Sequence, residues 1–165
     1  MRKIIYMLSL PLLLAGLSCT KQIPDYGKTA TVNASNGWWA QLYVGTTALL
    51  PKPAFFSTYN TSGNSTDSLW IDDLKNGYGF KIKAGLNYGA MTFTATNAAN
   101  AYYVGTPAFP ATVTLTDGKI LPKAGHSLSG VAVDSIYMKA IFSDDPTTTY
   151  IVAGTARTGL AEDDY

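Results

Sequence analysis

Beyond residue 28, apolar residues in this 165-residue chain recur at every second position in short runs, and no segment holds a 3.6-residue apolar period long enough for a helix. That pattern commits the chain to strands. β-Branched and aromatic residues dominate the runs, and turn residues separate them. Candidate strands are Trp38–Val44, Phe55–Asn60, Ser68–Asp73, Tyr78–Ala84, Ala90–Thr96, Thr112–Thr116, Ser135–Phe142 and Thr149–Arg157. Thr112–Thr116 is the cleanest, with Val113 and Leu115 on one face and three threonines on the other. Asp117-Gly118 and Asn76-Gly77 have the chemistry of tight turns. About eight strands in one domain make an all-β, antiparallel barrel or, as the alternative, a β-sandwich.

The first 28 residues have a different character. Arg2 and Lys3 precede an almost wholly apolar run from Ile4 to Leu17, and small residues lead into Cys19. This is a secretory signal, too short at roughly 21 Å of helix to cross a ~30 Å hydrocarbon core. A cysteine at the cut resembles a bacterial lipoprotein signal, in which the thiol receives lipid. The expected organisation is a signal over 1–18, a lipidated Cys19 with a tether over 19–28, and one β-domain over 29–165. Thr20, with no Asp at that second mature position, resembles outer-membrane sorting. The expected location is therefore the outer membrane, held by the N-terminal lipid. More than one acyl chain is needed for a stable anchor, each buried methylene adding ~0.8 kcal/mol.

Cys19 is the only cysteine, so once it carries lipid the exported domain has neither disulfide nor thiol nucleophile. Ten Lys and Arg then face eleven Asp and Glu, scattered singly. No basic patch exists for nucleic acid or anionic headgroups, so no nucleic-acid partner is expected.

Gly37-Trp38-Trp39 fits the Gly-x-Trp pattern that opens the first strand of lipocalin-like (calycin-type) barrels, although the Thr-Asp-Tyr signature of lipocalins is absent. In that family a Trp closes the barrel floor under a basic side chain from the last strand. The resemblance implies a barrel-closing pair of Trp39 and Arg157. A wider resemblance links the chain to the Bacteroidetes lipid-binding putative hydrolases, small lipoproteins with a lipocalin-like barrel. It lies in Ser57-Thr58-Tyr59-Asn60, Leu69-Trp70-Ile71-Asp72-Asp73, Asp117-Gly118-Lys119-Ile120 and Asp134-Ser135-Ile136-Tyr137. It continues through Phe142-Ser143-Asp144-Asp145-Pro146 and Arg157-Thr158-Gly159-Leu160-Ala161-Glu162-Asp163, covering most of the mature chain. The family implies lipid binding and possible hydrolysis, with no catalytic residues to carry over.

Hydrolytic chemistry has little to work with. The single histidine, His126, sits in Gly125-His126-Ser127-Leu128-Ser129-Gly130, where Ser129 replaces the last Gly of a nucleophile elbow. Adjacent residues seldom meet side chain to side chain, so Ser127 and His126 make a poor nucleophile–base pair. No zinc site is expected, and no loop has the ligand spacing of a calcium site. Of the acid pairs, Asp72-Asp73 lies on a strand with side chains on opposite faces. Asp144-Asp145-Pro146 reads as a turn, and Glu162–Asp164 as a solvated tail. No catalytic residue, metal or cofactor is therefore expected.

Binding is the stronger reading. Twenty aromatics against 14% charged residues supply an apolar lining. Alternation places Phe80 with Ile82, and Met91 with Phe93, on common inward faces; Tyr43, Trp70 and Tyr137 complete the candidate ligand-binding set. An outward Trp70 would mark a contact surface. The expected function is a membrane-anchored lipoprotein binding a lipid-like small molecule in a β-barrel. Its competitors are a solid-cored structural or partner-binding accessory, whose protein partners the chain does not disclose, and a weak esterase using Ser127 and His126.

Overall fold

The computed structural model describes residues 27–105 and 108–165. Its strands are β1 (Asn36–Val44), β2 (Thr47–Ala48), β3 (Ala54–Asn60), β4 (Ser68–Asp72), β5 (Lys81–Asn87), β6 (Thr92–Ala99), β7 (Thr112–His126), β8 (Ala132–Phe142) and β9 (Asp145–Ala156). Each pairs antiparallel with its neighbours, and β9 returns to pair with β1 from Trp38↔Ala156 to Val44↔Tyr150. β1 and β3–β9 form a closed eight-stranded antiparallel barrel; β2 is a short flap on the top of β1. Cys19 and the signal lie outside the described residues.

Alternation decides what faces in. In β5, Ile82, Ala84 and Leu86 are buried while Lys81, Lys83, Gly85 and Asn87 point out. In β1, Trp38, Ala40 and Leu42 turn inward. Eight strands leave an interior just wide enough to be filled by side chains. Here Trp38, Phe80, Phe93, Phe142, Leu69, Ile71, Ile82 and Leu115 fill it, each below 2% exposed.

Both ends are stoppered. At the lower end a 3₁₀ turn, Val32–Ala34, crosses beneath Trp38. The Trp38 indole N–H donates to Thr58 Oγ1 at 2.9 Å, and the Thr58 hydroxyl donates onward to the Ala34 carbonyl at 2.6 Å. At the upper end the segment 73–80 folds over the mouth. Asp73, wholly buried, accepts backbone N–H bonds from Lys75 and Phe80, each at 2.9 Å, and from Gly79 at 2.6 Å. This delivers Tyr78 face-to-face onto Phe142 with centroids 3.8 Å apart, and edge-on to Tyr150.

Three local expectations are corrected. The strand expected at Tyr78–Ala84 starts only at Lys81, because Asp73 organises residues 74–80 as a loop. Asp117-Gly118 is not a turn: β7 runs on to His126, and the pair is a bulge with Asp117 at φ 54° and a register shift between Thr116 and Lys119. The chain does not reverse there, since Thr116↔Lys139 and Lys119↔Tyr137 pair with the same partner strand on both sides. Finally, Trp38 rather than Trp39 closes the floor. Trp39, next along the strand, must face outward.

Asp73→Ala would leave three shielded N–H groups without their acceptor, at a cost of about 3 kcal/mol. Urea unfolding should show that loss, together with increased solvent exposure of Tyr78 by hydroxyl-radical footprinting.

Candidate functional site

With the interior occupied by side chains, the best-formed hollows among the described residues open on the outer wall. The most apolar is a groove of ≈ 330 Å³ between the outer faces of β1 and β3 and the segment 50–53. Trp39, Phe55 and the C-terminal Tyr165 form its aromatic floor, Leu50, Pro51 and Pro53 one bank, and Lys52 and Asn76 its polar edge. Register explains the floor: Trp39 and Phe55 are cross-strand partners on the solvent side, their rings meeting edge-on at 5.5 Å. Gly37 makes room, since a Cβ there would come within 2.7 Å of the Phe55 ring. Tyr165 meets Trp39 edge-on at 5.8 Å.

The C-terminal segment holds this floor in place. Arg157, one residue past β9, lies over Trp39 with its guanidinium carbon 5.9 Å from the ring centroid, and 5.8 Å from Phe55. Asp164 binds Arg157 in a two-pronged ion pair through Nε at 2.7 Å and Nη2, and its Oδ1 also accepts the Trp39 indole N–H at 3.2 Å. The Arg157 guanidinium holds the Asp164 carboxyl below its ordinary range. Asp163, 2% exposed, accepts from the Thr158 hydroxyl at 2.6 Å and from the Ser129 N–H at 2.7 Å and hydroxyl at 3.1 Å. These bonds, the Thr158 hydroxyl foremost, lower its pKa as well. The expected solvated tail is therefore a clamp. Acidic residues at a chain end resemble a tail until the fold brings Arg157 and Ser129 against them.

A second outward cluster lies across β3, β4 and β5. Leu69 and Ile71 face in, so Trp70 faces out, half-buried beside Tyr59. Asp72, 3% exposed, accepts from the hydroxyls of Tyr59 at 2.9 Å and Tyr102 at 2.6 Å, with Lys81 Nζ 3.6 Å away. Burial, then Asp72, raises the Tyr102 pKa. The Lys75 ammonium sits 4.9 Å above the Tyr102 ring. These bonds fasten the segment around Tyr102 to the wall. Both oxygens of Asp72 are engaged, so the cluster braces the surface.

The seven residues proposed from sequence for the ligand separate into two sets. Phe80, Ile82 and Phe93 lie in the filled interior. Tyr43, Trp70 and Tyr137 are half-buried on the outer face, and Met91 sits at the β5–β6 turn with φ 54°. The structure does not bring the seven together. Phe55 and Tyr165 were missed by sequence reading; the only signal for Phe55 was its place opposite Trp39 across a strand pair. Ser127 shares a hydrogen bond with Ser129 at 3.0 Å and accepts the Val131 N–H at 3.2 Å, and no hydrogen bond joins it to His126 among the described residues. No group of three or more His, Cys, Asp or Glu suited to a metal ion occurs among the described residues.

A carboxyl whose folded pKa lies below its unfolded value stabilises the fold fully above the unfolded value, and that contribution disappears as pH falls through the folded one. Asp163 and Asp164 both shift downward from 3.8, so the clamp should hold at pH 5 and release on acidification below about pH 4. Near-UV circular dichroism of the tryptophans should register the release, and Asp164→Asn should remove the Arg157-linked part of it.

A family model described as lipid-binding putative hydrolase matches residues 23–161, while no curated protein matches the chain. The match extends from ahead of the floor turn to Ala161, short of Asp163, Asp164 and Tyr165, and takes in all nine strands. By that coverage, the chain belongs to the lipid-binding putative hydrolase family.

Proposed function

We propose that this protein is an outer-membrane lipoprotein, acylated at Cys19, that holds a lipid-like amphiphile non-covalently in the groove over Trp39, Phe55 and Tyr165. The observation that carries this reading is the contrast between a filled barrel and an open aromatic groove. The eight-stranded interior is occupied by its own side chains, whereas the groove offers apolar surface edged by a cation and an amide. Mostly apolar concave surface with a few placed polar groups is the usual form of a small-molecule site. The family's lipid-binding description supports the ligand class.

In this reading an alkyl chain lies along the Trp39–Phe55 floor between Tyr165 and the Pro51–Pro53 bank. Its polar end reaches Lys52. Binding draws on removal of apolar surface from water, so affinity should climb with chain length, about two- to fourfold per methylene, until the groove is full. The clamp keeps Trp39 from collapsing into the groove, which limits the ordering cost of binding.

Titration with oleate, followed by native mass spectrometry, should show one bound molecule that is lost on denaturation. Trp39→Ala and removal of Tyr165 should each weaken binding about tenfold, equivalent to ~1.4 kcal/mol. Unchanged affinity in both variants would place the ligand elsewhere and overturn the groove assignment.

A further inference from the structure

We propose that the lower rim of the barrel is a bilayer-contact surface, seated against the membrane to which Cys19 is anchored; this rests on the lipoprotein reading above. The geometry begins with where the described chain starts. Gly27 and Lys28 lead into the floor turn Val32–Ala34, so the described residues begin at the lower end of the barrel. Eight residue steps separate Cys19 from Gly27, a reach of at most about 29 Å. A lipid on Cys19 therefore holds the lower end within that distance of the bilayer, and only a nearly extended tether would let the mouth under Tyr78 reach it instead.

That rim has the side chains for such a contact. Val32, Leu121, Leu128, Val131 and Leu160 are all large, apolar and 40–55% exposed. They come from the floor turn, the descending end of β7, the β7–β8 loop and the segment after β9. A bilayer interface accepts apolar side chains at the headgroup boundary, and exposed apolar clusters commonly mark interaction surfaces. The upper end also exposes apolar residues, Val104 at 79% foremost, but it lies a barrel's length from the point where the described residues begin.

The rim is also braced. Asp163 joins the Ser129 backbone to the Thr158 hydroxyl and donates its own N–H to the Leu160 carbonyl at 3.1 Å. Leu128 and Leu160 thus project from two loops fastened to one buried carboxylate. Lys28 and Lys123 are exposed near the same end, as single charges suited to headgroup phosphates rather than a basic patch. The contact is therefore chiefly apolar and should not require anionic lipid.

The test uses the full chain, expressed with its signal so that Cys19 can be acylated, and phosphatidylcholine vesicles containing acyl-brominated lipid. Because Cys19 is the sole cysteine and carries the lipid, Leu128→Cys, Leu160→Cys and Val104→Cys can each be labelled singly with an environment-sensitive fluorophore. Labels at 128 and 160 should lose about half their emission to the brominated chains, while the label at 104 stays unquenched. The same pattern should hold without anionic lipid, and Leu160→Asp should release the label at 128 while the protein stays on the vesicles. Vesicle-bound protein with equal or reversed quenching at 128 and 104 would overturn the rim contact alone. Protein that stays in the supernatant and takes up no lipid at Cys19 would overturn the anchored reading, and the rim contact with it.

Discussion

The seam between β1 and β9 is the constraint on which everything else here depends. Seven residue pairs close it, and Gly154 makes it possible: a Cβ there would come within 2.2 Å of the Trp39 carbonyl and 2.6 Å of Ala40 Cα. Closure removes the free sheet edges that would otherwise invite pairing with other chains. It also sets the interior diameter, and at eight strands that diameter is taken up by the protein's own side chains. The same seam carries Arg157 to Trp39, because Ala156 pairs with Trp38 and the next residue donates its N–H to the Gly37 carbonyl at 2.8 Å.

From that closure follows a division of labour between the faces of one strand. β1 sends Trp38 inward to the floor and Trp39 outward to the groove, and each indole N–H finds a different partner: Thr58 inside, Asp164 outside. The two tryptophans are adjacent in sequence and a strand's thickness apart in role. The carboxylates divide similarly. Asp73 organises the upper loop through backbone N–H groups, Asp72 fastens two tyrosines to the wall, and Asp163 and Asp164 lock the C-terminal segment. None of these acids is free to pair with another across a substrate, the arrangement that hydrolysis by two carboxylates requires. Their chemistry is structural, and it holds the apolar surface of the groove in place.

Much of the fold was legible because a strand's side chains alternate with a period of two whatever surrounds them. Val113 and Leu115 point inward and the neighbouring threonines outward, as alternation requires, and Ile82 faces inward from β5 in the same way. Less legible was anything that depended on a distant partner. Asp117-Gly118 has turn chemistry, yet pairing with β8 on both sides makes it a bulge. Phe55 gave no sign of a role until Trp39 lay opposite it, and Tyr165 none until Asp164 fixed the C-terminal segment.

The amino-acid sequence by itself determined the strand class, the eight strands that close the barrel, the lone cysteine and the contact partners Trp39 and Arg157, since these follow from local period, composition and family resemblance. Only the tertiary structure decided which tryptophan closes the floor, whether the interior is filled, and that the terminal acids form a clamp. The physical reason is that inside and outside are properties of a closed surface. A strand's pattern fixes that its two faces differ, but which residues meet across the barrel depends on register and shear over all eight strands at once.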